Sequence, residues 1–95
     1  MEQIKVVFKI DKKNDNEIVA VFPFEVWMRY NYITCYSHIG QHCGCALSYA
    51  YELPLAKESE YASLLNEIKK IYYDCEVIVL NRMPRKEDVM ENLCK

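Results

Sequence analysis

The chain is poor in residues that bend a backbone, with two glycines and three prolines among 95 positions. It has no Gly-rich phosphate loop and no paired-carboxylate motif, so nothing in it points to a nucleotide phosphate or a sugar. An excess of one charge is also missing. Twelve Lys and Arg face 14 Asp and Glu, a net charge of −2. That balance is unlike a strongly basic nucleic-acid binder, and no nucleic-acid partner is expected. The one basic group, Arg82, Arg85 and Lys86, runs straight into Glu87 and Asp88, as a solvated tail does. No apolar run nears the roughly 20 residues of a membrane-spanning helix. "MEQIKVVFKIDKK" is not ordered like a secretion signal, so no membrane association and a cytoplasmic location are expected. Internal repeats and low-complexity linkers are absent.

What is there is the balance of a globular domain: 52% hydrophobic and 27% charged residues. A chain of this length buries roughly 60–65% of its unfolded surface, enough for one modest core. A single domain over 1–95 is expected, with a short C-terminal helix or tail at 84–95. The five cysteines are odd in number, so in a reducing compartment they read as free thiols or metal ligands. Eight tyrosines, with apolar rings and polar tips, suit shallow cores and binding faces.

Along the chain, "IKVVFKI" (4–10) alternates as a strand, and the polar "DKKNDNE" (11–17) turns it into a second β-branched run, "IVAVF" (18–22). Pro23 is expected to end that strand, because it has no N–H for the ladder. Residues 24–31 read as an irregular connection. "YITCYS" (32–37) reads as a third strand, with Ile33 and Cys35 on one side and Tyr32, Thr34 and Tyr36 on the other. Segment 43–53 fits both an alternating strand and a helical face, with a short helix favoured and Pro54 as its stop. Residues 57–74 place Tyr61, Leu64, Leu65, Ile68, Ile71 and Tyr72 on one helical stripe. "CEVIVL" (75–80) follows as a strand. The resulting expectation is an α+β fold: a small antiparallel or mixed sheet of about four strands, with one long and one short helix packed on one face.

The segment "CYSHIGQHCGC" (35–45) concentrates the chemistry. It holds both histidines, both glycines and three of the five cysteines. At 34–42, "TCYSHIGQH" resembles a family of small bacterial and phage proteins, which share a strand ending in Phe-Pro, a Cys-Tyr-x-His-x-Gly-Gln-His stretch and a Glu-Tyr-x-x-Leu helix. Here these are Phe22-Pro23, Cys35 through His42, and Glu60 through Leu65. The resemblance runs from about residue 4 to about residue 80, the length of one domain. It implies an architecture, and from the family's setting a phage or mobile-element inhibitor, with no established activity. "HCGC" and the residues after Leu80 depart from the pattern, so a role for Cys43 and Cys45 is not inherited from it.

The residues leave three readings of this segment open. In the first, Cys35, His38, His42 and Cys45 hold zinc, for which thiolate and imidazole are suitable donors, although adjacent His42 and Cys43 strain a small tetrahedron. In the second, one cysteine is a nucleophile activated by His38 or His42, with no orienting Asp or Asn in sight. In the third, which is favoured, Gly40 and Gly44 frame a tight loop whose Tyr36, His38, Gln41 and His42 face a ligand or a protein partner. This reading makes the chain a small binding or accessory protein without a catalytic residue or a required cofactor. A homodimer, formed on oxidation of exposed Cys94, stays open.

Overall fold

The computed structural model describes residues 2–27, 32–37 and 40–94. In chain order the elements are β1 (Glu2–Asp11), β2 (Glu17–Val26), β3 (Tyr32–Tyr36), β4 (His42–Ala46), α1 (Leu47–Glu52), α2 (Glu58–Ile71), β5 (Cys75–Val79) and α3 (Lys86–Leu93). They form an α+β fold around one five-stranded mixed sheet of order β4-β3-β2-β1-β5. β1 through β4 are joined as antiparallel neighbours, and β5 returns parallel to β1 on the far edge. No helix among the described residues is long and apolar enough to cross a membrane.

The β1–β2 hairpin forms where the sequence places it. Its loop takes two left-handed residues, Asp15 (φ 57°) and Asn16 (φ 56°), types that tolerate this region. The Asp11 carboxylate accepts the Lys13 N–H at 3.2 Å and steadies the turn. β1 is paired along both sides. β5 covers its residues 2–6, and the segment after α1 covers 8–10 through Ile10 N–H to Pro54 O (3.0 Å) and Ala56 N–H to Phe8 O (2.9 Å). Lys9 is buried there, and its ammonium donates to Leu53 O at 2.9 Å, at the C-terminal end of α1.

Three expectations are corrected. The sheet has five strands because segment 43–53 is not one element. Residues up to Cys45 alternate as strand β4, and Leu47, Ala50 and Tyr51 then turn as helix α1. The helices, including the C-terminal one at Lys86–Leu93, lie on both faces and not on one. α2 buries Leu64 and Ile68 against Ile4, Val6, Phe8, Ala20 and Phe22. α1 and α3 bury Ala50 and Val89 against Val19, Val21, Ile33, Cys35 and Cys45 on the opposite face. β2 also continues past Pro23 to Val26. The β2–β3 register jumps from Phe22↔Thr34 to Val26↔Ile33, so Pro23 sits in a bulge where no ladder donor is required of it. The bulge also redirects the strand: Phe22 packs on the α2 face and Phe24 on the other.

α2 is close to its expected span. Glu58 and Glu60 occupy its first turn and Lys69 and Lys70 its last, and the Glu60 carboxylate accepts the Lys57 N–H at 2.7 Å. Phe8 and Tyr61 stack at 4.3 Å between centroids. α3 belongs to the second core, because Val89 is fully buried and Asn92 donates to Phe24 O at 2.9 Å. Met28, Arg29, Tyr30 and Asn31 of the expected connection lie outside the described residues.

Candidate functional site: a thiol-lined cleft at the β3–β4 edge

Cys35 to Cys45 folds as a β-hairpin. Pairing runs Tyr36↔His42, Cys35↔Cys43, Thr34↔Gly44 and Ile33↔Cys45. Gly40, at φ 83°, supplies the left-handed residue of the turn. Strand alternation then separates the chemical groups by face. Cys35, Cys43 and Cys45 point to the α1/α3 side, whereas Tyr36 and His42 point to the α2 side.

On the α2 side the polar groups bond inward. The Tyr36 hydroxyl donates to the Glu67 carboxylate of α2. His42 Nε2 and the Tyr72 hydroxyl are hydrogen-bonded at 2.7 Å. The His42 ring lies 4.8 Å from the Tyr36 ring and meets the Tyr72 ring edge-on at 5.8 Å. The bond to Glu67, with burial adding to it, pushes the Tyr36 phenol up to about 12. Two of the residues expected to face a ligand, Tyr36 and His42, thus tie the hairpin to α2. Gln41 is exposed on the turn, and His38 lies outside the described residues.

On the opposite side the Cys35 and Cys43 sulfurs are 3.1 Å apart. All five cysteines are free; Cys35 and Cys45 are buried, and Cys43 is exposed. The Cys35 thiol is pushed up by its hydrogen bond with Cys45 and by burial. The Cys43 thiol is pushed up to about 11 by burial and its contact with Cys35. Both groups are therefore protonated near neutral pH. A cleft of about 340 Å³ opens beside them, walled by Glu17, Val19, Tyr32, Ala46 and Tyr49. Tyr49 is fixed by donating to Asp11 at 2.8 Å, which ties α1 to the first hairpin. No histidine or lysine among the described residues lines the cleft.

The three described residues of the four expected around zinc do not converge on one point. Cys35 and Cys45 share a face, His42 is on the other side engaged with Tyr72, and His38 is outside the described residues. Among the described residues no three His, Cys, Asp or Glu side chains form a metal-holding group. The cleft also has walls that the sequence reading missed: Glu17, Tyr49 and the partnership of Cys43 with Cys35. A signal for the last was present. A hairpin centred on residue 39 pairs 36 with 42 and 35 with 43, and glycine at 40 marks such a turn. No family model, curated protein or solved structure matches this chain.

Proposed function

We propose that the protein is a small binding protein whose ligand-facing surface is the Cys35–Cys45 hairpin, with the cleft under β3, β4 and α1 as the seat of a compact ligand. The observation that carries this reading is the cleft itself. Its volume, about 340 Å³, lies at the lower end of small-molecule sites. Valine, alanine, thiols and tyrosine rings give it an apolar wall, and Glu17 gives it one carboxylate. A ligand with an apolar ring and a cationic or hydrogen-bond-donating end matches that lining. The protonated thiols and the lack of a basic side chain in the described wall weigh against a catalytic thiol nucleophile at neutral pH, which favours binding over catalysis.

Benzylamine and its neutral isostere benzyl alcohol are suitable probes, followed by backbone amide resonances. Benzylamine should shift Glu17, Tyr32, Cys43 and Tyr49 in a saturable manner, with benzyl alcohol weaker. Glu17→Gln should remove the difference between them. Shifts confined to other surfaces, or no saturable shift at all, would reject the cleft as the binding site.

A further inference from the structure

Cys35 and Cys43 stand directly opposite each other on neighbouring antiparallel strands, on the same face, with their sulfurs 3.1 Å apart. Opposed residues in such a ladder have Cα atoms about 4.5 or 5.5 Å apart, and both distances lie within the range a disulfide spans. Cys45 opposes Ile33 and hydrogen-bonds the Cys35 thiol from the diagonal position, so Cys43 is the cysteine directly opposite Cys35 and Cys45 its competitor. The two members of the pair differ in access: Cys43 is exposed and Cys35 is buried. One sulfur is thus open to a reagent from solution, and the other is held against it from behind.

We propose that Cys35 and Cys43 form a dithiol site that accepts oxidising equivalents from low-molecular-weight disulfides and closes into a cross-strand disulfide. Cys43, as thiolate, attacks one sulfur of the reagent disulfide. A Cys43–S–S–R bond forms, the reagent S–S bond breaks, and the leaving thiolate takes up a proton, balancing the one lost by Cys43. Cys35, losing its proton, then attacks the Cys43 sulfur. The Cys35–Cys43 bond forms, the mixed disulfide breaks, and the second reagent thiolate is protonated. Two protein thiols are oxidised, one reagent disulfide is reduced to two thiols, and no other reactant is needed. Closure pins edge strand β4 to β3 beside the cleft wall. The chemistry does not depend on the cleft holding a ligand.

Because partial desolvation of its sulfur and the neighbouring thiol keep Cys43 protonated, exchange is slow near neutral pH. It accelerates by about tenfold per pH unit until the thiol titrates near 11. The second step is intramolecular and outruns a second encounter with the reagent.

The test is incubation of fully reduced protein with oxidised glutathione at mildly alkaline pH, an acid quench, and mass analysis of the intact and digested chain. Chymotrypsin cleaves after Tyr36 and so separates Cys35 from Cys43 and Cys45, and fragmentation of the linked pair within Cys43-Gly44-Cys45 assigns which of the two carries the bond. The expected product has lost two hydrogens, carries no glutathione at residues 35–45, and yields a Cys35–Cys43 linked peptide pair. Cys35→Ser, checked for folding by circular dichroism, should instead hold a stable glutathione adduct at Cys43, raised by at least about tenfold over wild type. Three outcomes on the wild-type chain would overturn the proposal without reliance on any variant. These are a persistent adduct at Cys43, a bond from Cys35 to Cys45, and an unreacted trio while exposed Cys94 is modified.

Discussion

The two faces of the sheet are covered in different ways, and the difference explains where the cleft lies. On one face a single 14-residue helix, α2, lays Leu64 and Ile68 over Phe8 and Phe22, and the Tyr36–Glu67 and His42–Tyr72 bonds extend that cover to the β3–β4 edge. On the other face the cover is split between α1, of 6 residues, and α3, of 8. At about 1.5 Å per residue these span roughly 9 and 12 Å, against about 21 Å for α2. Their buried contributions are Ala50 and Val89, and the strand side chains beneath are valines, Ile33 and thiols. Short helices with small buried side chains leave part of the sheet uncovered. The hollow falls beside edge strand β4, which has a neighbour on one side only.

The sharpest way to break this contrast is to truncate equivalent core residues on the two faces. Leu64→Ala should cost about 2–5 kcal/mol, by lost transfer energy plus the cavity left behind. Val89→Ala, with less removed, should cost about 2 kcal/mol. Urea denaturation should rank the two in that order, and equal losses would mean that the faces are equally well packed.

Next in size is Gly44→Ala. A Cβ there would overlap the Trp27 indole at Cδ1, so the ring must move. A cost of about 1–3 kcal/mol is expected for such overpacking. Trp27 is the only tryptophan, so its fluorescence should report the displacement as a red shift. An unchanged spectrum would show that the ring does not rest on Gly44.

Tyr36→Phe should cost about 1–2 kcal/mol through loss of its bond to a carboxylate. The wild-type phenol is pushed from its usual 10 up to about 12. The folded state thus favours the protonated form. The contribution is complete below pH 10 and is lost as pH rises through 12. Stability curves of wild type and Tyr36→Phe should converge over that window, and parallel curves would remove the Glu67 bond from the account.

The smallest effect expected is that of Cys43→Ser, within about 0.5 kcal/mol at neutral pH, as for other exposed positions. Its thiol is pushed from 9 up to about 11, so wild type should lose stability between those values and the variant should lose less. A large neutral-pH loss would instead make the thiol pair part of the core.

Much of this contrast was legible in particular residues. The stripe from Tyr61 to Tyr72 announces α2, and the alternation in "IKVVFKI" and "YITCYS" announces β1 and β3 with their facing sides. The second helical layer was also encoded, in "IVAVF". A strand that is apolar at every position is buried on both faces, and residues 19–23 are buried without interruption. The strand-to-helix switch at Ala46 was not legible, because segment 43–53 satisfies both periods until the β3 partner selects the strand for its first part. The cleft was legible only in its thiols. Glu17 reaches it from a strand distant in sequence and Tyr49 through the strand-to-helix switch after Ala46, and such walls are set by sheet order and helix placement, which local spacing does not carry.

The parallel pairing of β1 with β5 has a mechanical consequence. Glu2 lies beside Cys75 and Val6 beside Val79, so the two strands run in the same direction side by side. Tension applied to the N-terminal end of β1 and the C-terminal end of β5 slides one strand along the other. Every ladder bond between them then shares the load at once instead of opening in turn. In single-molecule pulling, α3 should peel away first at low force, and the sheet should then resist as a clamp until β1 and β5 shear apart in one step.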